Sequence, residues 1–213
     1  HQFSLIDIDR LRAVETYSGF LYPRIALPAF ITPNSFFKIA LYIPEVGTSI
    51  DQVYLSRPGI KFELDIINTS VSGDILVATV QANDVIEGLY DIYVVSNGKV
   101  FIEYNSVSVK SSYSYPLKIL WYSDTHYDTR RSAIWQRDNF LGLIWRANFI
   151  NPDFVLITGD VLNTATEENF ISFINDIHDM LSIPLVLIPG NHDHHYKEDM
   201  FTRFLGPSNI SIN

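Results

Sequence analysis

Between Leu117 and Asn191 three short, almost wholly apolar runs alternate with two longer segments of helical period, and that alternation admits few folds. The runs are "LKILWYSD", "DFVLITGD" and "PLVLIPGN", each closed by Gly, Asp or Asn. Short runs that are apolar on both faces belong to strands of a parallel sheet covered on both sides. Between the first two, Ser132 to Ile150 places Ile134, Phe140, Leu141, Ile144, Trp145 and Phe149 at helical spacing, with Ser132 as the predicted N-cap. Between the second and third, "TEENFISFINDIHDML" predicts a helix capped by Thr166, with Asn169 where a capping box prefers Glu. A β-α-β-α-β succession implies parallel strands joined by right-handed crossovers. Trp121, Trp135 and Trp145 are read as core residues of this unit.

The preceding part has a different period. From about Phe20 to Lys110 the runs "FFKIALYIP", "KFELDII", "DILVATVQA", "GLYDIYVVS" and "KVFIEYNSVSVK" are β-type, several of them alternating apolar and polar residues. Asn97-Gly98 stands between two of them, the pair that a type I′ hairpin turn prefers. Residues 20–112 therefore read as an all-β sandwich of the immunoglobulin or fibronectin kind. Residues 1–19 form an N-terminal segment without assignment. The polar, proline-containing "KSSYSYP", Lys110 to Pro116, separates the two patterns and is the expected site of limited proteolysis, so the α/β domain spans 117–213.

Composition narrows the function classes. The net charge of −9 is shared by both halves of the chain, so neither offers the basic face that long nucleic acid requires. The absence of cysteine excludes disulfides and thiolate metal sites. No apolar run approaches the roughly 20 residues of a membrane span, and "HQFSLIDIDRLR" lacks the apolar core of a signal peptide. The Asn-x-Ser sequons at Asn68 and Asn209 are no more than chance supplies; compartment is unassigned, with an extracellular or cell-surface place favoured over the cytoplasm.

The three strand ends carry the chemistry. The first supplies Asp124 and His126, the second Asp160, the third Asn191 and His192. Neighbouring parallel strands lie about 4.8 Å apart, so consecutive ends aim carboxylate, imidazole and amide oxygen at one small volume, on the edge where open α/β sheets bind ligands. Taken singly, each is an ordinary loop or cap residue; it is the order of the three that signifies. Oxygen and imidazole donors together suit manganese, iron, zinc or nickel. His178 is read as a solvated or half-buried helix residue.

Asp124-Thr125-His126, Gly159-Asp160 and Gly190-Asn191-His192-Asp193, each after an apolar strand, resemble the first three motifs of the calcineurin-like metallophosphoesterase superfamily. The resemblance covers about Leu117 to Asn213. It implies two divalent metal ions, with Asp124 and His126 on the first, Asp160 bridging both and Asn191 on the second, and it implies that His192 acts on the substrate phosphate and protonates the leaving oxygen. Asp128, Asn163 and Asp193 are read as orienting the loops. His194 and His195 adjoin the third motif, but successive loop side chains diverge, and they are kept only as spare ligands.

The resulting expectation is a phosphohydrolase cleaving a phosphomonoester or phosphodiester, its β-sandwich binding a partner or packing on the catalytic domain. His126 and Asn163 depart from the first two motifs of purple acid phosphatases, which have Gly and Tyr there. The alternatives are an interaction protein that keeps the fold without catalysis and, on weaker grounds, a nuclease. The resemblance further implies ligand histidines from later motifs, so the 213-residue chain is expected to bind metal weakly and to be nearly inactive alone.

Overall fold

The computed structural model describes residues 11–44, 49–113, 116–194 and 199–208; Asn209 and His195 lie outside them. Eight strands come first: β1 (Phe20–Tyr22), β2 (Ala29–Ile31), β3 (Phe36–Tyr42), β4 (Gln52–Arg57), β5 (Ile60–Ser72), β6 (Ile75–Gln81), β7 (Gly88–Ser96) and β8 (Lys99–Val109). Val53 and Leu55, alternating with Tyr54 and Ser56 in β4, bury fully, as do Leu76, Ala78 and Val80 in β6. The β7–β8 hairpin closes on Asn97 and Gly98, both with positive φ, as that pair of residues predicts.

An immunoglobulin-like or fibronectin-like sandwich has two separately hydrogen-bonded sheets. Here hydrogen bonding is continuous in the order β1-β3-β6-β5-β4-β7-β8-β2, with β2 parallel to β8 and the other pairs antiparallel. The eight strands thus connect into one mixed sheet, and the expected sandwich is not confirmed. The cause is the 13-residue length of β5: Ile60 to Leu64 pair with β4, while Asp65 to Ser72 pair with β6. Ile39 and Val80 on one side of β5, and Leu55, Ile92 and Val107 on the other, share one core.

The second part follows the predicted succession: β9 (Ile119–Ser123), α1 (Ile134–Ile150), β10 (Phe154–Thr158), α2 (Glu167–Met180) and β11 (Leu185–Ile188), then α3 (Met200–Phe204). The three strands are parallel in the order β11-β10-β9. Thr166 caps α2, its hydroxyl accepting from Asn169 N at 3.3 Å. Ser132 does not cap α1; it sits inside a single 3₁₀ turn, Arg131–Ala133, that leads into the helix.

The reading of the tryptophans as core residues is corrected. Trp121, Trp135 and Trp145 are 66, 58 and 68% exposed. α1 carries apolar residues on every side, interspersed with polar ones, and buries only Phe140, Ile144 and Ala147, so helical spacing could not say which apolar residues face inward. β9 is a sheet edge, and Trp121 lies exposed on it with its Nε1 donating to Thr158 Oγ1 of β10 at 2.8 Å.

The two parts are in contact. Val186 of β11 belongs to the core of the large sheet, while Ile25 and Ala26 belong to that of the α/β unit. Between them Asn105 Nδ2 donates to the carbonyls of Ile177 and Leu181 at 3.0 and 3.2 Å. No helix among the described residues is long and apolar enough to cross a membrane.

Candidate metal centre

Ser123, Thr158 and Ile188 lie side by side in register, so the three parallel strands end level. Beyond them the first two loops stay paired: His126 N donates to Asp160 O and Tyr127 N to Val161 O, both at 2.9 Å, and Asn163 N donates to Tyr127 O at 3.0 Å. This pairing carries the sheet geometry outward and sets His126 beside Asp160. Asp124, His126 and Asp160 have φ of +52°, +46° and +27°. A non-glycine residue held there stores about 1–3 kcal/mol, a strain that collects at functional sites.

One ligand atom each from His126, Asp160 and His192 come within 4.8 Å of one another. His126 Nε2 is 4.0 Å from Asp160 Oδ2, too far for a hydrogen bond, and the two imidazole rings meet edge to face at 5.0 Å. His126 Nδ1 is buried without a hydrogen-bond partner. Borderline divalent ions hold imidazole nitrogen and carboxylate oxygen at about 2.0–2.2 Å, so His126 and Asp160 stand close enough to share a cation, with the His192 ring beside them. The donor set fits a metal ion.

The surroundings fix these groups. Gly190 lies against Asp160, where a Cβ would stand 2.2 Å from both its backbone nitrogen and its Oδ1. Only glycine lets the third loop approach so closely, and that approach lets His192 N donate to Asp160 Oδ1 at 2.9 Å. Asp193, fully buried, accepts from Gly190 N at 2.8 Å, Leu162 N at 2.9 Å and Val161 N at 3.0 Å, tying the second loop to the third. Burial pushes its carboxyl above the ordinary range, and the three backbone donors pull it back.

His192 Nδ1 lies 2.8 Å from Asn163 O. A carbonyl only accepts, so Nδ1 carries the hydrogen in that contact and the lone pair of the neutral ring is on Nε2. Asn163 Nδ2 in turn donates to Asp128 at 2.9 Å. Asp128 is buried, which raises its pKa, but hydrogen bonds from Arg130 and Asn163 outweigh burial and bring it down to about 2. Beneath the first loop, Asp176 accepts from Tyr127 Oη at 2.6 Å and from Arg137 at 2.7 and 2.8 Å, a triad with no sequence motif to announce it.

The remaining candidates are placed differently. The Asp124 carboxylate is exposed and lies beside Gly159, both oxygens 3.9 Å from where a Cβ there would stand. Asn191 is exposed at the start of the 3₁₀ turn Asn191–His194 that also holds His192. His194 faces away from the cluster, its Nδ1 3.5 Å from Asp199 Oδ1. His195 lies outside the described residues. His178, on α2, is half-buried and 3.1 Å from Asp91 Oδ2 of β7, remote in role from these groups.

Residues 117–211 match the sequence profile of the calcineurin-like phosphoesterase family. No curated protein is significantly similar to the chain. Among solved structures, an amylomaltase from Corynebacterium glutamicum is 14% identical, with a TM-score of 0.32. A purple acid phosphatase from yellow lupin (Lupinus luteus) seeds is 11% identical at 0.37, and a chimeric titin carrying a decorin peptide is 14% identical at 0.24. These alignments cover 70, 76 and 39% of this chain. The chain spans 21% and 34% of the lengths of the first two and 86% of the third.

Proposed function

We propose that the α/β part carries a dinuclear-metal phosphohydrolase centre cleaving a phosphomonoester or phosphodiester. The observation that carries this reading is the convergence of His126, Asp160 and His192 donor atoms within 4.8 Å at adjacent parallel strand ends. The match of residues 117–211 to calcineurin-like phosphoesterases supports a metal-dependent phosphoesterase in general terms. In this reading Asp124 and His126 hold one ion, Asp160 bridges, and Asn191 ligates the second through its amide oxygen without adding negative charge.

Asp124, His126, Asp160 and Asn191 would hold two divalent ions, which when bound would supply Lewis acidity toward phosphoryl oxygens and a water of lowered pKa. The chain's own groups position and exchange protons. Asp193 holds the second and third loops at the spacing the donors need. Asn163 keeps the Nδ1 hydrogen of His192 engaged, so Nε2 is the nitrogen that takes up a proton and, from the resulting imidazolium, passes it to the leaving oxygen. Manganese, iron, zinc and nickel all suit these donors.

The test is a manganese-supplemented panel of phosphomonoesters and phosphodiesters, run beside metal analysis on the same samples. Asp160→Asn should lose at least one ion together with any hydrolysis. His192→Ala should keep its metal while turnover falls by about 10²–10⁴-fold, the scale of a lost general acid. Unchanged metal and turnover in Asp160→Asn would overturn the assignment; metal binding with no hydrolysis of any ester, in a chain with all its ligands, would favour the interaction protein.

A further inference from the structure

The buried stripe of α1 is Phe140, Ile144 and Ala147; the opposite side of the helix carries Trp135, Asp138, Gly142, Trp145 and Phe149, all exposed. Their spacing of three and four residues is that of a heptad seam, the pattern by which one helix packs along another. Trp135, Trp145 and Phe149 are 58, 68 and 80% exposed, and Trp145 stacks on Phe149 with ring centroids 6.0 Å apart and planes within 11°. At the centre of the seam, a Cβ at Gly142 would meet no atom within 4 Å. Nothing among the described residues covers this face.

Two pairs of residues match about Gly142, whereas Trp145 and Asn139, three to either side, do not. Seven residues to either side stand Trp135 and Phe149, two large aromatics. Four to either side stand Asp138 and Arg146, opposite charges, both exposed and without an ion-pair partner among the described residues. In an antiparallel pair of identical helices related by a two-fold axis at Gly142, residues equidistant from the centre face one another. Each Trp135 then meets the Phe149 of the other copy, each Asp138 meets its Arg146, and the two glycines let the backbones approach at the crossing. A two-fold contact requires a surface complementary to itself, and the opposite charges of Asp138 and Arg146 supply that complementarity here.

The geometry points to the outer face of α1 as a homodimer interface, occupied by α1 of a second copy of this chain packed antiparallel across Gly142. The helix is about 25 Å long at 1.5 Å per residue, which places the contact among small, reversible interfaces.

The test is sedimentation equilibrium of the 213-residue protein over a concentration series, with charge-reversed variants. The wild type should associate to a dimer. Asp138→Arg and Arg146→Asp alone should each weaken it by about tenfold or more, because like charges then face each other twice. The double variant, with both charges exchanged, should restore it. Because the chain has no cysteine, Gly142→Cys introduces a single thiol that should cross-link across the axis on mild oxidation, whereas Thr69→Cys on exposed β5 should not. All these positions are exposed, so circular dichroism should report an unchanged fold. A protein monomeric at every concentration, a dimer indifferent to both reversals, a double variant no tighter than the singles, or cross-linking equal at 142 and 69 would overturn the proposal.

Discussion

Three residues of the third loop shape the candidate centre, and each acts by a different force. Gly190 acts by omission. In Gly190→Ala the new methyl would stand 2.2 Å from Asp160, so Asp160 or the third loop must move, and titration with manganese should show affinity falling by about tenfold or more. Asp193 acts as a buried acceptor of three backbone donors. In Asp193→Asn only one oxygen remains to accept, so a buried N–H is left unsatisfied. Urea unfolding should report a loss of about 1–3 kcal/mol. His192 acts through its ring, and Asn163 O sets which nitrogen carries hydrogen. That Asp124, His126, Asp160, Asn191 and His192 stand at the ends of three adjacent strands was legible because each follows an apolar run. The acceptor roles of Asp193 and Asp128 were legible only as proximity, since which backbone groups they meet depends on how three separate loops close.

Strand and helix identities in the α/β part follow from the period of the apolar residues, yet orientation does not. α1 illustrates the difference: its spacing announces a helix, but with apolar residues on all sides only the sheet beneath it selects Phe140, Ile144 and Ala147 as the buried set. β5 illustrates another. It alternates strictly from Ile60 to Ile66 and not beyond, its two halves pair with different neighbours, and the continuous sheet that results is a property of pairing, invisible to a window of a few residues. Between α2 and β7, His178 Nε2 and Asp91 Oδ2 join the two parts at 3.1 Å, with the Tyr104 ring 4.3 Å from the imidazole. The Asp91 carboxylate raises the His178 pKa above its ordinary value against the opposing pull of burial. A raised folded-state pKa gives stabilisation that is complete below the unfolded value of about 6.5 and is lost as pH rises through the folded value. Melting curves should therefore show His178→Gln less stable than wild type near pH 5.5, with the difference closing by about pH 9. An equal difference at both would remove the ion pair from the account.

At the scale of the molecule, the two parts are bound by buried polar groups as well as by apolar contact. Arg24 and Glu103, 1 and 4% exposed, meet at 3.2 Å, an ion-pair contact that is not a well-aligned hydrogen bond. Arg24 also donates to the carbonyls of Phe20, Thr202 and Arg203, while Glu103 accepts from Ile25 N at 2.8 Å. Removing one partner of a buried pair strands the other, so Glu103→Ala should destabilise by about 3–5 kcal/mol. Calorimetry should show one transition for the whole chain, shifted as one in this variant; two separable transitions would mean that the parts fold independently. These contacts were not legible in the sequence, because those that Glu103 makes with Ile25 and that Arg24 makes with Arg203 join residues 78 and 179 positions apart. The central claim is that the strand-end donors form a metal centre, and the most direct measurement is manganese binding by isothermal titration to the wild type and to Asp160→Asn. The account predicts saturable binding by the wild type and its loss in the variant, with the melting temperature of the metal-free protein preserved. Equal binding by both proteins would contradict it.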